Sequence, residues 1–443
     1  MAVTHQGPKG TRDFYPDAMA LRRHIESTWR KASVDCGFDE VEGPNFEHLS
    51  LYTAKSGPGI VNELFSFRRA GGDDDYALRP EFTPTLARMV AAKAGSLPLP
   101  VKWFAIPVHF RAERQQRGRL REFVQWNVDL VGVEGAAADA EVIGCAVLAL
   151  ERLGLKPADM RVRLSHRGAV AASLAAAGVP AERVGEAFEL LDRREKLEPA
   201  EFDRRATSLG LHAGARDRFD GIAATRLPVD SDFSAIAARL AVPADALAGA
   251  DGLARQLRAM GLADWCEWDF GIVRGLAYYT GTVFEIHEAS GNERAVAGGG
   301  RYDRLVELFG GPAMPAFGFG MGDVVLGLVL ADRGLLPKDA AALLPRPDAF
   351  LITDGSEAAE GLQPRLLTDL RRAGLHARGN WKATRNVGKL LGDAAKARAR
   401  FAVILGAELA QGMAVVKDLD GGSQRPVPVG SLVAELAAAR AGA

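Results

Sequence analysis

The chain has 443 residues, of which 48% are hydrophobic and 25% charged, and its formal net charge is -1. A length of this order predicts two or three domains of ordinary globular make-up. Near-neutral charge excludes a uniformly basic nucleic-acid coat, so any contact with nucleic acid has to come from local patches. Three cysteines, Cys36, Cys145 and Cys266, form no CxxC pair. Their odd number and wide spacing argue against a disulfide framework or a zinc site and for a reducing compartment. The histidines include no HxxxH pair, and no apolar run approaches the roughly 20 residues that span a bilayer. Met1 to Pro16 is too polar for a signal peptide, so the expected location is the cytoplasm.

Residues 17–36 carry helical periodicity through Met19, Leu21, Ile25 and Trp29, closed by Gly37. Phe38 to Phe46 reads as extended and contains Pro44. Strands are predicted at Tyr76–Arg79, Val101–Glu113 and Phe123–Gly132, with a helix over Thr85–Ala94 between the first two. A helix at Ala138–Leu153 and a short strand at Arg161–Ser165 follow. From Gly168 to Ala259 the composition turns to Ala, Leu, Arg and Glu, which predicts a helical module inserted into the first domain; the plainer reading is further helices of that domain. Strands return at Trp268–Val273 and Tyr278–His287. After them come a glycine-rich turn at Gly298–Gly300, a short helix, a strand at Phe317–Gly322 and a helix from Asp323.

Leu335 to Pro347 holds three prolines and reads as a linker. Beyond it the order is strand (Ala349–Thr353), helix (Gln363–Ala373), a basic segment, strands (Phe401–Leu405, Met413–Lys417) and a terminal helix, an alternation that predicts a small α/β domain. Residues 346–443 contain 14 Lys/Arg and 10 Asp/Glu, an excess of +4. Most of it lies in 376–400, where Arg378, Lys382, Arg385, Lys389, Lys396, Arg398 and Arg400 oppose Asp393 alone. That cluster reads as a solvated helix face or as a groove for a phosphate backbone. The predicted division is 1–168, 169–259, 260–335 and 346–443.

The chemistry is concentrated around Phe110-Arg111-Ala112-Glu113-Arg114 and Glu122-Phe123-Val124-Gln125-Trp126-Asn127-Val128-Asp129. Alternation along a strand puts Phe123, Gln125, Asn127 and Asp129 on one face and Val124, Trp126, Val128 and Leu130 on the other. A polar face backed by an apolar one suggests the floor of a small polar ligand site, or else a plain surface hairpin. Arg114, Arg117, Arg119 and Arg121 lie on the loop beside it, and arginine is the side chain best shaped to grip phosphate. No Ser/His/Asp triad or Walker loop occurs. Arg111, Arg274 and Glu81 suit phosphate chemistry, where positioning and charge neutralisation carry the rate.

In this order the segments resemble the class II aminoacyl-tRNA synthetases, and within them the histidyl-tRNA synthetase family. Gly10-Thr11-Arg12-Asp13 opens the match. Pro44 with Phe46-Glu47 looks like the first class motif, at the dimer interface. Leu78-Arg79-Pro80-Glu81-Phe82-Thr83 follows, and Phe110-Arg111 through Gly132 is similar to the second class motif. Arg274-Gly275-Leu276-Ala277-Tyr278-Tyr279-Thr280-Gly281 resembles the histidine-specific signature, and Gly299-Gly300-Arg301-Tyr302-Asp303 comes next. Phe401 to Gly406 with Glu408-Leu409-Ala410 looks like the family's anticodon-binding domain.

The resemblance implies an α+β fold: a class II synthetase mixed, mostly antiparallel sheet flanked by helices, with a helical insertion and a C-terminal α/β anticodon-binding domain. It implies a histidine–tRNA ligase, a homodimer that takes ATP with Mg²⁺, histidine and tRNA-His and holds no structural metal. Arg111 and Arg274 would be the catalytic cations. Arg111, Glu113 and Arg121 would bind ATP; Glu81, Thr83 and Gln125 the amino group of histidine; Asp129 and Tyr279 its imidazole, with Tyr278 closing the pocket. Three positions depart from the usual pattern: Asp129 stands where many relatives carry Glu, Ala277 replaces a frequent acid, and Gln115 a frequent proline. In the third class motif Val325 stands where an arginine normally packs on ATP, and Arg301 or Arg304 is the expected substitute. Two rivals remain at this point: a non-catalytic regulatory paralogue from histidine biosynthesis, which Val325 would suit, and an RNA-binding protein that uses the fold without chemistry.

Overall fold

The computed structural model describes residues 5–56, 58–194, 197–274, 278–291, 293–381 and 384–441. Gly275, Leu276 and Ala277 of the signature and Lys382 of the basic segment lie outside the described residues. The chain divides into two compact units, Met1–Ala340 and Ala341–Ala443.

The first unit is built on one large sheet. Its strand order is Asp39–Glu40, Val101–Ala105, Glu122–Val131, Ala316–Gly322, Ala297–Arg301, Thr282–Glu288, Met160–His166, Cys266–Asp269, Arg226–Pro228. Pairing is antiparallel except where Asp39–Glu40 meets Val101–Ala105 and Cys266–Asp269 meets Met160–His166. This is the mixed, mostly antiparallel sheet expected.

One face of the sheet is covered by helices, among them Pro16–Asp35, Ala136–Arg152 and Asp323–Asp332. Trp126, Val128, Phe317, Phe319, Phe284 and Ile286 are buried there. Trp29 stacks on Trp126 at 5.9 Å, Phe319 meets Trp126 edge-on at 5.0 Å, and Trp126 Nε1 donates to Ser33 Oγ at 2.9 Å. The buried indole thus has its polar handle satisfied. The alternation in Phe123–Leu130 follows from this layer: the apolar half enters the core, and Gln125 and Asp129 face the other way.

Several element boundaries differ from expectation for identifiable reasons. Val101–Glu113 is not one strand; it breaks after Ala105 and resumes as Val108–Phe110. Pro107 has no N–H for a ladder, and its carbonyl instead accepts from Gln125 N at 3.1 Å. The strand expected to Val273 ends at Asp269, whose Oδ1 accepts from Gly271 N at 3.1 Å in a turn. Tyr278–Gly281 precede the strand Thr282–Glu288 rather than belonging to it. The helical stretch carries six helices between Arg167 and Ala259 among its described residues, plus the unforeseen strand Arg226–Pro228 at the sheet edge.

The expected glycine turn at 298–300 is the central strand Ala297–Arg301. Glycine is depleted from strands because it adds no packing, which is why the run reads as a turn. Here space decides: a Cβ on Gly299 would lie 2.2 Å from Gly318 O and 2.6 Å from Phe319 Cβ.

In the second unit a sheet ordered Ala377–Gly379, Ala349–Thr353, Phe401–Leu405, Met413–Asp418, Gln424–Pro428 has three parallel strands and two antiparallel ones. Glu357–Arg372 and Leu432–Ala441 pack with one hydrophobic cluster and Val387–Lys396 with another. The first of these helices starts six residues before the expected Gln363, capped by Ser356 Oγ, and carries Pro364 inside it. Gln424–Pro428 was not foreseen; its prolines are tolerated because it is an edge strand.

Gly299→Ala should destabilise the protein by about 2 kcal/mol or more, the usual scale of overpacking. Gly327→Ala, in a helix with nothing within 4 Å of the added Cβ, should raise stability by about 0.5–1 kcal/mol. Urea midpoints of the two variants check this contrast.

Candidate active site

On the sheet face opposite the helix layer lies a cavity of about 630 Å³. Its floor is made by what is missing. Gly298 and Gly300 of one strand and Gly318, Gly320 and Gly322 of the next are register partners facing the same way as Gln125 and Asp129. A Cβ on Gly298 would sit 1.6 Å from Arg274 Nη1, one on Gly320 2.6 Å from Gln125 Cδ, and one on Gly318 1.9 Å from Asp129 Oδ1. Bare backbone therefore lets these three polar side chains lie flat across the sheet.

Two arginines 163 positions apart in the sequence enter this cavity. Arg111 is half-buried, donates Nε to Pro80 O at 3.1 Å and lies over the Phe123 ring at 5.0 Å. Burial pulls its pKa down from the usual arginine value. Arg274 has a backbone φ of 50°, in the left-handed region, a strained conformation that clusters at functional sites. Its Nη1 donates to Glu285 Oε1 at 2.9 Å, and the second oxygen of Glu285 lies 2.9 Å from His287 Nε2. Its guanidinium also stands 5.9 Å from the centre of the Tyr279 ring.

Beside the cavity is a buried aromatic and acidic cluster. Asp129 is 2% exposed and accepts a hydrogen bond from Tyr302 Oη. Burial, only partly offset by that bond, pushes its carboxyl up to about 7. The Tyr278 and Tyr279 rings are 4.6 Å apart, and Tyr278 meets Tyr302 edge-on at 6.0 Å. The Glu81 charge acts on both Tyr278 and Tyr279 and on Arg111. Thr83 is the half-buried first residue of the helix Thr83–Lys93.

The loop after Phe110 closes another side. Glu113 pairs with Arg119, while Arg121 directs Nε to Glu113 O at 3.3 Å. Arg121 N donates to Gly10 O at 2.9 Å. Arg12 reaches Asp323 Oδ2 at 2.6 Å, and Asp323 Oδ1 accepts from Val124 N at 2.9 Å. Asp323 thus joins the amino-terminal segment to the strand that carries Gln125.

Of the sequence-predicted residues, Arg111, Gln125 and Arg274 line the cavity. Glu81, Asp129, Tyr278 and Tyr279 form the adjoining cluster, and Glu113 and Arg121 lie on the loop. Arg301 and Arg304 do not substitute there for the missing arginine. Both line a separate cavity of about 480 Å³ with Asp139 and His166. Arg301 pairs with Asp139 and with Asp303, and Arg304 with Glu307 at 3.3 Å. Arg301 Nη2 also donates to Gly135 O at 3.1 Å, so its guanidinium is engaged away from the first cavity.

Sequence reasoning gave no site role to Glu285, His287 and Arg294, to Tyr302 beside Asp129, or to the wall supplied by Asp192, Arg194 and Arg226. Glu285 and His287 alternate with buried Phe284 and Ile286, a phase that was available in the sequence. No group of three or more potential metal ligands occurs among the described residues.

Comparison with known proteins agrees with this arrangement. The family described as Histidyl-tRNA synthetase matches residues 10–322. A histidine–tRNA ligase of Opitutus terrae is 39% identical over 437 residues, covering 96% of each chain. The crystal structure of histidyl-tRNA synthetase from Nostoc sp. PCC 7120 superposes with a TM-score of 0.76 at 24% identity, covering 98% of this chain and 99% of that one. A Bacillus halodurans structure described as an ATP phosphoribosyltransferase regulatory subunit/histidyl-tRNA synthetase gives 0.73 at 22%, covering 92% and 100%. At such identities the two structures speak for the fold alone, whereas the sequence match covers the site-bearing segments. The chain belongs to the histidyl-tRNA synthetase family.

Proposed function

We propose that this chain is an ATP-dependent ligase that joins histidine to tRNA-His in two steps. The observation that carries the reading is the convergence of Arg111 and Arg274 on one glycine-floored cavity beside the Asp129–Tyr302 pair. In the first step a carboxylate oxygen of histidine attacks the α-phosphorus of ATP. An O–P bond forms, the bond from that phosphorus to the bridging oxygen breaks, and pyrophosphate leaves with the electron pair. Arg111 and Arg274 neutralise charge on the carboxylate and α-phosphate, and such fixed cations are held ready before the reaction begins. Glu113 and Arg121 bind ATP. Glu81, Thr83 and Gln125 hold the amino group, Asp129 and Tyr279 hydrogen-bond the imidazole, and Tyr278 closes the pocket. A pocket of buried polar partners rejects amino acids that leave those partners unpaired. Mg²⁺ would enter with ATP, bound to its phosphates and not through a dedicated protein cage. In the second step a 3′-terminal ribose hydroxyl of the tRNA takes the histidyl group and AMP leaves.

Residues 1–168 and 260–335 form the catalytic domain, 169–259 the insertion and 346–443 the anticodon-binding domain. For the last, Trp381 is 81% exposed beside exposed Arg378 and Arg385. An open aromatic among cations is the usual platform for an unstacked base. A homodimer is supported by the small sheet of Phe46–His48, Asp75–Leu78 and Ser66–Arg68, where Phe46 and Phe67 pack on Tyr76 yet stay 49% and 44% exposed. Exposed aromatic clusters of this kind mark interfaces. Among the described residues no single helix is long and apolar enough to cross a membrane; the work of the family in protein synthesis supports the cytoplasm. The regulatory-paralogue reading is not favoured, because relatives matched over nearly the whole chain are named histidine–tRNA ligases.

The direct test is histidine-dependent exchange of radiolabelled pyrophosphate into ATP across a panel of amino acids, followed by charging of tRNA. Exchange with histidine alone supports the reading; none, or exchange with another amino acid, contradicts it. Arg274→Ala should lower exchange about 10²–10³-fold while histidine binding stays near wild type. Trp381→Ala should leave exchange intact and slow charging. Asp129 supplies a pH signature. Below about 7 its carboxyl is protonated and above it ionised, so only at the higher pH is it a full acceptor for the imidazole N–H. The wild-type KM for histidine should therefore fall as pH rises through 7. In Asp129→Asn the KM should be raised on the order of 10²-fold and this part of the pH dependence lost; an unchanged profile would move the imidazole contact elsewhere.

A further inference from the structure

Most cations around the cavity are already engaged. Arg274 is paired with Glu285, Arg119 with Glu113, Arg163 with Glu267 at 3.0 Å and Arg226 with Asp269 at 2.8 Å. Arg294 lines the same cavity, is exposed to it, and makes no hydrogen bond or ion pair with a described residue. The charges that act on it are those of Arg119, Glu113, Arg111 and Glu285. Three arginines thus crowd one end of the cavity, and burial together with Arg119 lowers the pKa of Arg294. An anion placed among them would relieve that repulsion.

Val325 explains why the cation comes from this side. It is 7% exposed and belongs to the main hydrophobic core. The loop carrying Arg111 and Arg119 turns directly above it: Gly118 has φ +72°, and a Cβ there would be 3.2 Å from Val325 Cγ2. Arg117 Nε donates to Glu293 Oε1 at 2.7 Å, clipping that loop to the residue before Arg294. A long side chain at 325 would occupy the space this turn uses. The small valine lets the loop settle, and the clip holds Arg294 at the cavity mouth.

We infer that Arg294 binds the triphosphate of ATP, supplying from the connection between the strands Thr282–Glu288 and Ala297–Arg301 the guanidinium that position 325 lacks. The inference rests on the ligase reading above. A guanidinium on phosphate forms charge-assisted, often bidentate bonds, and Arg294 has no ion pair or hydrogen bond with a described residue to give up before binding.

The test measures KM for ATP and for histidine in histidine-dependent pyrophosphate exchange with Arg294→Ala, Arg294→Gln and Arg294→Lys, against Arg304→Ala as a control from the other cavity. The first two should raise KM for ATP ten-fold or more and leave KM for histidine within two-fold. Lysine, which keeps the charge, should recover most of the loss, and Arg304→Ala should match wild type. Melting temperatures with and without Mg·ATP provide a second readout: wild type should gain stability from ATP, and Arg294→Gln should lose most of that gain. A KM for ATP within two-fold of wild type in both Ala and Gln variants overturns the inference, as does an equal rise in both KM values. If wild type itself shows no histidine-dependent exchange, it is the ligase reading that fails.

Discussion

The structure depends on two neighbouring strands that carry no side chain at five positions on the face turned to the cavity. Ala297–Arg301 and Ala316–Gly322 place glycine at five positions facing the cavity, and at Gly299 on the core side. Glycine in a strand forfeits packing and costs conformational entropy. Here the loss is local, because the apolar residues of the same sheet, Phe284, Phe317 and Phe319, are fully engaged on the opposite face. The gain is geometric: Arg274, Gln125 and Asp129 each occupy a volume that a Cβ would fill.

The second constraint is electrical. Asp323 accepts from a guanidinium on one oxygen and from Val124 N on the other. Its single carboxylate therefore couples the amino-terminal segment, the strand of Gln125 and the start of the helix Asp323–Asp332. An acid at a helix N-terminus is favoured by the dipole as well. Glu285 plays a similar part inside the cavity, holding Arg274 and His287. Both acids fix basic groups in place before a ligand arrives, which suits chemistry whose rate depends on positioned charge.

Much of this was legible in the sequence, for a physical reason. A strand with one buried face must alternate, so Phe123–Leu130 declared its polar side before any fold was known. The family resemblance brought Arg111 and Arg274 into one site, although 163 positions separate them and no local pattern links them. What was hidden depends on distance in space. Glycines at 298–300 read as a turn because propensity knows nothing of Gly318 O lying behind them. Tyr302 gave no sign that its hydroxyl would reach Asp129. Arg301 and Arg304 looked equally available until the structure paired them within another cavity. Arg294 sits in a connection between strands, without periodicity, and only its place beside the loop over Val325 gives it meaning.

One ligand has to join the arginines, the glycine face and the buried acid for this site to work as a ligase. The most direct measurement is a crystal structure with a non-hydrolysable histidyl-adenylate analogue. The expected result has its phosphate-equivalent group between Arg111 and Arg274, its body over Gly298 and Gly320, and its imidazole against Asp129 with the Tyr302 bond kept. An analogue seated in the cavity of Arg301 and Arg304, or one whose imidazole lies away from Asp129, would contradict it.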